Sequence, residues 1–435
     1  MSVRTIDLGG VKLLLESSPA LPLVHLTAAL LTGSLEDPEG KEGLTRLVAR
    51  AMRRTGGGLG QHELDSRIDL LGGSLGADVS HSTVSFSGTV IARNFDAFLA
   101  LFTDVLGRPG FAEEELALLR RETEAEVIES RDNDRALARR WFGRRLFANH
   151  AYGRSVSGRL ASVPGMTGAD VRALYQRLWA RQNLVLAFSG DIDEARARQS
   201  AERLLAALPA GEPRRDTLGD PTGPRGRHLV LVDKPERTQT QILIGGLGTH
   251  PRDPDHIALH VANTVLGGTF TARLMKEIRS KRGWSYGAYS SLPFDRHRQA
   301  FSLWTFPKAS DAAACIGVEL ELLRIWWEKG ITKRELAWAK RYLTRSHAFA
   351  LDTATKRVGL GLDSLLYDLP EGYYEGYLDH VRDVTLERAN AAIRERISLD
   401  DLLITVVGTA SEIEEGVRQA IPGLGSHEVI PFDAD

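Results

Sequence analysis

The segment 270–291 brings together side chains that are suited to chemistry. Gly283 predicts the end of a helix, because glycine readily adopts the left-handed conformation that caps a helix C-terminus. Arg279 then lies on the last helical turn, and Tyr286 lies at the start of the next strand. The chain reversal between them can place a guanidinium beside a phenol. Such a pair can hold a peptide carbonyl or the oxyanion formed from it, and one donor of this kind typically changes the rate by ~10²–10³.

The same two residues also have an ordinary structural interpretation. An arginine at a helix C-terminus complements the helix dipole, and a tyrosine at a strand start commonly serves packing. Residue type and spacing therefore leave both interpretations of Arg279 and Tyr286 open, and the structural one is the commoner.

Other candidate sites are weaker. His256 and His260 have the i, i+4 spacing of a metal-binding pair, but no acid lies between them, and such a pair more often packs. Cys315 is the one cysteine of the chain and lies in an apolar run, which excludes an internal disulfide and predicts a buried side chain. The glycine-rich stretch 56–60 lacks the Lys-Ser/Thr of a phosphate-binding loop. We therefore predict no metal or cofactor site built by this chain.

Composition narrows the class of protein. The chain has 435 residues, 43% of them hydrophobic and 26% charged, which is typical of a soluble protein with two to four domains. The net charge of −2 gives no footprint for nucleic acid or an anionic membrane. No run approaches the ~20 apolar residues that span a bilayer, and the N-terminus lacks the pattern of a secretory signal. We therefore expect a cytoplasmic protein.

Apolar periodicity predicts the elements that must position the candidate residues. In the first half, the predicted strands are 23–32, 74–78, 83–90 and 184–188, and the predicted helices are 41–54, 63–71, 95–106, 112–130, 136–147, 168–178 and 194–208. In the second half, the predicted strands are 241–245 and 402–407, the predicted helices are 255–266, 311–329, 333–353 and 386–396, and a helix and hairpin region covers 271–306.

The two halves repeat one order of elements. Strands beginning at 23 and 184 recur at 241 and 402, a shared offset of about 218 residues that indicates duplication. A linker rich in proline, glycine and charge separates the halves. The sequence therefore predicts an α+β protein of two homologous domains, 1–208 and 229–435, joined by the linker 209–228. Each domain is expected to be a mostly antiparallel sheet covered by helices.

The second half resembles the second domain of the pitrilysin/insulinase family of zinc peptidases, which includes the mitochondrial processing peptidases. The motif that carries the resemblance consists of Asn263, Leu266, Gly267, Gly268, Ala272, Arg273, Leu274, Arg279, Gly283 and Tyr286, with Ile278 where the family has leucine. The resemblance extends over nearly the whole chain, since the duplication, linker and strand order also fit. It implies that Arg279 and Tyr286 bind the substrate carbonyl and stabilise the tetrahedral intermediate.

The first half departs from the family where zinc should bind. The family motif His-x-x-Glu-His places two histidines on one helix face, with the glutamate as general base. Here Arg46 and Arg50 stand at the two histidine positions and Ala49 at the base position. Two permanent cations repel Zn²⁺ instead of binding it. Glu126 matches a third, carboxylate ligand, but a structural pairing with Arg46 or Arg50 is favoured.

The resemblance implies a divided enzyme. Some family members place the zinc site on one chain and the arginine and tyrosine on another. The sequence therefore predicts the non-zinc-binding subunit of a heterodimeric endopeptidase that acts on peptides, with zinc bound by a paralogous partner. Two alternatives stay open: an inactive structural subunit, like the core proteins of respiratory complexes, and a peptide-binding subunit. In the divided enzyme, the hairpin 74–90 offers an edge strand that suits an extended peptide.

Overall fold

A computed structural model describes residues 3–214 and 217–435 of the protein. These residues form two compact units that differ from the two sequence halves, because each unit includes a piece of the other half. Unit 1 consists of Met1–Val127, Ser155–Leu218 and Ala348–Tyr374, and unit 2 consists of Ile128–Arg154, Gly219–His347 and Glu375–Asp435.

The first half of the chain contains six strands and seven α-helices among its described residues. The strands are β1 (Arg4–Leu8), β2 (Val11–Ser17), β3 (Leu23–Leu30), β4 (Ser74–Val79), β5 (Val84–Ile91) and β6 (Leu184–Gly190). The helices are α1 (Leu44–Arg54), α2 (Gln61–Leu70), α3 (Phe95–Gly107), α4 (Glu113–Glu129), α5 (Asp134–Leu146), α6 (Gly168–Leu178) and α7 (Glu194–Ala206). Of these helices, α5 belongs to unit 2.

The second half adds six more strands. They are β7 (Arg227–Asp233), β8 (Gln241–Leu247), β9 (Ala288–Ser291), β10 (Ala300–Thr305), β11 (Leu402–Gly408) and β12 (Leu424–Pro431). The helices are α8 (His256–Leu266), a π-helix (Met275–Lys281), α9 (Ala312–Lys329), α10 (Lys333–Ser346), α11 (Ala354–Leu366), α12 (Tyr377–Asp383), α13 (Leu386–Arg396) and α14 (Ala410–Gln419). Of these helices, α11 belongs to unit 1.

The two sheets have one layout. Their strand orders are β1-β2-β6-β3-β5-β4 and β12-β7-β11-β8-β10-β9. In each sheet one pair of central strands is parallel, β2 with β6 and β7 with β11, and the next three strands run antiparallel. The outer strand next to this pair differs, since β1 precedes β2 in the chain and runs antiparallel to it, whereas β12 follows β7 and runs parallel to it. The predicted α+β class with mostly antiparallel sheets is confirmed, and the matched layout supports the predicted duplication.

Each unit has its own hydrophobic core between one sheet face and its helices. The strands β6 and β11 are continuous apolar runs and are buried along their whole length, as expected for central strands. Side-chain caps fix several helix starts, for example the capping box of Thr332 and Glu335 at α10. Within residues 3–214 and 217–435, no helix is long and apolar enough to cross a membrane.

Two sequence predictions about these elements were wrong. The helix predicted over 333–353 ends at Ser346, and after a short 3-10 turn α11 begins at Ala354, where the Thr353 side chain accepts the first capping bond from Lys356. The strand predicted to begin near Ser285 begins at Ala288. Tyr286 therefore lies in the connection that precedes β9.

Candidate functional site

The helix α1 carries the positions where the sequence motif for zinc should stand. Buried Asp37 fixes its start, because the carboxylate accepts hydrogen bonds from the Gly43 and Thr45 amides, each at 2.8 Å. One face of α1, which includes Leu47 and Val48, is buried in the core of unit 1. Arginines on another face of the helix point toward α4.

Three arginines of α1 form a charge network with two glutamates of α4. Arg46 lies 2.9 Å from a Glu126 oxygen, and Arg50 lies 2.8 Å from the other oxygen of the same carboxylate. Arg50 also pairs with Glu122 at 3.1 Å, and Arg54 pairs with Glu122 as well. We call these five residues the α1–α4 charge network. The predicted pairing of Glu126 with Arg46 or Arg50 is confirmed, and both arginines take part.

The residues of this network do not fit a zinc ion. Both histidine positions of the family motif hold guanidiniums that are already bound to the carboxylate that would ligate a metal. Burial lowers the pKa of Arg50, although the Glu126 carboxylate opposes that effect. The base position, Ala49, is 1% exposed and is part of the hydrophobic core. A metal ion bound between α1 and α4 would have to displace the ion pairs that Glu126 makes with Arg46 and Arg50.

In unit 2, several residues of the motif are held by specific hydrogen bonds. The amide of Ser290 in β9 donates to the Gly267 carbonyl at 3.0 Å, and its hydroxyl donates to the Asn263 side chain at 2.6 Å. A Cβ atom at Gly267 would come within 2.3 Å of the Ser290 nitrogen, so only glycine fits there. Arg273 is held by both oxygens of Glu335, at 2.8 and 2.7 Å. These motif residues therefore have structural roles.

A π-helix, Met275–Lys281, carries Arg279. Helices of this kind are rare and often occur at functional sites. The predicted left-handed end is confirmed, since Gly283 has a φ of 68° and its amide bonds to the Arg279 carbonyl at 3.0 Å. The chain then turns back toward β9, which brings Tyr286 over Arg279.

The structure brings Arg279 and Tyr286 together. The guanidinium carbon lies 4.0 Å from the centre of the Tyr286 ring, a cation–π contact. It also lies 4.5 Å from the ring of Phe270, a residue that the sequence analysis did not single out. Tyr286 is 73% exposed and Phe270 is 60% exposed. We call these three residues the Arg279 aromatic site.

Arg279 has no ion-pair partner among the described residues, unlike three other cations of its segment. Lys281 and Arg282 both pair with Glu277, and Arg273 pairs with Glu335. The Nη1 atom of Arg279 is shielded from solvent and has no hydrogen-bond partner in the described part of the chain. A guanidinium has five N–H donors, so this one keeps donor capacity for a ligand oxygen.

The chemistry available at the Arg279 aromatic site is donation to an oxygen that carries or develops negative charge. The guanidinium supplies a permanent positive charge, and the phenol can donate one further hydrogen bond. The site has no carboxylate or imidazole that could serve as a base next to Arg279 among the contacts described for it. It is suited to binding and polarising a carbonyl, not to activating water.

The remaining sequence candidates have structural explanations. His256 is buried, shares a hydrogen bond of 2.9 Å with Thr249, and has its pKa lowered to about 3 by burial. Burial also lowers the pKa of His260 to about 4. Cys315 is fully buried, as predicted, and burial raises the pKa of its thiol. The described residues contain no cluster of three or more His, Cys, Asp or Glu side chains suited to a metal ion.

Comparisons with known proteins identify the family to which the chain is similar. A model of the insulinase domain of peptidase family M16 matches residues 12–159, and a model of the peptidase M16 inactive domain matches residues 165–343. An uncharacterized zinc protease of Mycobacterium leprae is 27% identical over 403 residues, which cover 91% of this chain and 89% of the relative. The non-peptidase homolog YmxG of Helicobacter pylori is 21% identical over 406 residues, which cover 93% of each chain.

A solved structure gives the same result. The peptidase M16 inactive domain from Pseudomonas fluorescens superimposes with a TM-score of 0.87 at 26% identity, covering 94% of this chain and 98% of the other. The two family models together cover most of the chain, with their boundary near 160. The chain therefore belongs to peptidase family M16, the insulinase family.

Proposed function

We propose that this chain is the non-zinc-binding subunit of a heterodimeric M16 endopeptidase, and that it supplies Arg279 and Tyr286 to the reaction. The observation that carries the proposal is the isolation of Arg279. Unlike Arg273, Lys281 and Arg282 of the same segment, this guanidinium has no acid partner among the described residues, and it lies beneath an exposed tyrosine. A purely structural arginine would be expected to have a carboxylate or carbonyl partner, as Arg273 does.

The two residues act on the peptide carbonyl. The Arg279 N–H groups and the Tyr286 hydroxyl donate to the carbonyl oxygen and bind it more strongly as negative charge develops there. Donors aimed at a developing oxyanion are commonly worth ~10²–10³ in rate. Because the Nη1 atom of the guanidinium is shielded from solvent, the interaction of the cation with the oxygen is less screened.

The metal and the general base are assigned to a partner chain. In this chain the α1–α4 charge network holds the family's metal positions, and Ala49 offers no base. A paralogous chain of similar length with an intact His-x-x-Glu-His motif is the partner that fits. The cleavage site would then be assembled from two chains.

The edge strand β4 is the proposed place for part of the substrate. Apart from Arg53, which donates to the Leu75 carbonyl, no described residue outside β5 hydrogen-bonds to the β4 backbone. The matching strand of unit 2, β9, is already covered, because its Ala288 and Ser290 amides donate to Met275 and Gly267. An extended peptide can therefore add a strand at β4.

The experiment that tests the proposal mixes this chain with a purified zinc-binding partner and measures cleavage of an unstructured peptide library. We expect neither chain alone to cleave, the mixture to cleave, and Arg279→Ala to lower kcat by ~10²–10³ with little change in KM. Arg282→Ala is the matched control, since Arg282 lies in the same segment and is paired with Glu277. The proposal is wrong if cleavage by the mixture is indifferent to both Arg279→Ala and Tyr286→Phe, or if this chain alone binds one zinc and cleaves peptides.

A subunit that binds peptides or serves structure without taking part in cleavage is the second candidate. The α1–α4 charge network favours it, since the motif positions 46 and 50 on α1 hold paired guanidiniums and not metal ligands. Under that function, the mixture would bind the peptides with the same affinity with or without Arg279→Ala. An added peptide would also protect the β4 amides from hydrogen exchange.

A further inference from the structure

The loop that carries Phe270 is fixed on both sides. Gly267 is bonded to Ser290 of β9, and the Gly268 amide donates to the Asn263 carbonyl at 3.1 Å. The buried Thr269 accepts from the Ala272 amide at 3.2 Å through its carbonyl. The backbone at Phe270 is therefore held in place, and its side chain extends from a rigid position.

Phe270 is not held by the hydrophobic core. It is 60% exposed, and it is not part of the buried cluster of unit 2. Among the described residues, the contact found for its ring is with the guanidinium of Arg279, at 4.5 Å. The part of the Phe270 ring that is removed from water is therefore covered by a cation, the guanidinium of Arg279.

The contact with Phe270 is one of the two ring contacts found for the Arg279 head group. Arg279 has no ion pair among the described residues, and its other aromatic neighbour, Tyr286, is itself 73% exposed. A long arginine side chain without an anchor populates many rotamers, and fixing one has an entropic cost. A second ring at 4.5 Å reduces that freedom without occupying any of the N–H donors.

We propose that Phe270 is a positioning residue for Arg279. Its ring holds the guanidinium by a cation–π contact and helps to keep water from the Nη1 atom, which has no hydrogen-bond partner among the described residues. The N–H donors therefore remain available for a substrate oxygen. A carboxylate in the same place would fix the arginine but consume its donors, which explains why an aromatic ring stands there. This inference rests on the proposed function of Arg279 in binding the substrate carbonyl.

The effect expected from losing the ring is smaller than that of losing the arginine. Cation–π contacts at partly exposed sites correspond to about a 3- to 30-fold change in population. Phe270→Leu, which keeps apolar bulk without the ring, should therefore lower kcat of the two-chain enzyme by about 3- to 30-fold at constant KM. Phe270→Tyr, which keeps the ring, should restore activity. Phe349→Leu, at a phenylalanine that is 74% exposed, controls for loss of a surface ring.

Two measurements separate this inference from the function on which it rests. In the first, NMR of the chain alone follows the Arg279 Nε–Hε signal, assigned by its loss in Arg279→Lys. We expect Phe270→Leu, but not Phe349→Leu, to move it toward the position of a solvent-exposed arginine. An unmoved signal overturns the inference whatever the activity.

In the second measurement, Phe270→Leu and Arg279→Ala are combined in the two-chain assay. If Phe270 acts through Arg279, the double variant has the kcat of Arg279→Ala alone. Independent, multiplicative losses would overturn the positioning role while leaving the proposed function intact. A mixture whose cleavage is indifferent to Arg279→Ala overturns both.

Discussion

Two surfaces of the protein present arginine guanidiniums, but the groups that surround these guanidiniums differ. On α1, Arg46, Arg50 and Arg54 all bind carboxylates of α4. On the π-helix, Arg279 binds none among the described residues and is covered by exposed aromatic rings. Ion pairs join two helices in the first case, whereas the second case leaves a cation available to a ligand.

The comparison shows that the state of pairing, and not the residue type, separates a structural arginine from a candidate functional one. In the α1–α4 charge network, glutamates neutralise arginines, two of which stand at positions that the family motif gives to histidines. The Arg279 aromatic site keeps its donors free because rings, not acids, hold it. The following predictions test whether that distinction holds.

The largest expected effect is the return of a metal site to α1. Arg46 and Arg50 end on the same Glu126 carboxylate, so imidazoles at both positions would share a third ligand with the spacing that zinc requires. We expect Arg46→His combined with Arg50→His to bind one equivalent of zinc, measured by isothermal titration calorimetry. Arg46→Gln with Arg50→Gln removes the charges without adding ligands and should bind none. If the two double variants bind the same amount of zinc, imidazoles at positions 46 and 50 are not sufficient to form a metal site on α1.

A buried acid without a cation sharpens the comparison from the other side. Glu319 of α9 is fully buried and is bonded to Thr305 at 3.1 Å, and burial raises its pKa to about 8 from an ordinary 4.5. Between these pH values the folded protein keeps a proton that the unfolded chain releases, so stability falls as pH rises through this window. We expect the loss between pH 5 and pH 8, on the order of a few kcal/mol, to be much smaller in Glu319→Gln.

Urea unfolding at both pH values measures this difference. Glu321→Gln, at an exposed position on the same helix, is the control. It should lose as much stability between pH 5 and pH 8 as the natural protein does. If Glu319→Gln loses as much stability between pH 5 and pH 8 as the natural protein, the buried carboxyl is not the titrating group.

The α1–α4 charge network should contribute measurably to stability. Glu122→Gln leaves Arg50 and Arg54 without that acid, and Arg54 is only 14% exposed, so the uncompensated charge is partly desolvated. We expect a loss of about 1–3 kcal/mol, between the values for surface and buried pairs, measured by urea unfolding. Glu63→Gln breaks an exposed pair with Arg67 and should change stability by less than about 0.5 kcal/mol. Equal losses in the two variants would contradict a structural role for the network.

The sequence was sufficient for elements with strong local signals. The helix predicted over 386–396 was found at Leu386–Arg396, and the central strands β6 and β11 begin at the predicted residues. The polar edge strands β1 and β12 were not predicted, because their pairing depends on a partner strand and not on their own pattern. The apolar inner strands β2 and β7 were missed as well, although their own pattern carries a signal. The exchange of α5 and α11 between the halves likewise has no local signal.

The candidate site shows the same limit. The pairing of Glu126 and the approach of Arg279 to Tyr286 followed from motif positions. The place of Phe270 depends on how the glycine loop packs against β9, which spacing does not encode. A signal was present, since an aromatic residue in the polar run Gly-Gly-Thr-Phe-Thr predicts exposure, but it does not identify the neighbour.

The smallest expected effect is on stability at the Arg279 aromatic site, and it completes the comparison. Arg279→Ala breaks no ion pair among the described residues and removes contacts with two exposed rings, so the free energy of unfolding should fall by about 1–2 kcal/mol. Arg273→Ala, in the same segment, frees the Glu335 carboxylate from a two-pronged bond and should be the more destabilising of the two. Urea unfolding of both variants decides the point. If Arg279→Ala is as destabilising as Arg273→Ala, Arg279 belongs with the structural arginines of α1, and its lack of an acid partner has no functional meaning.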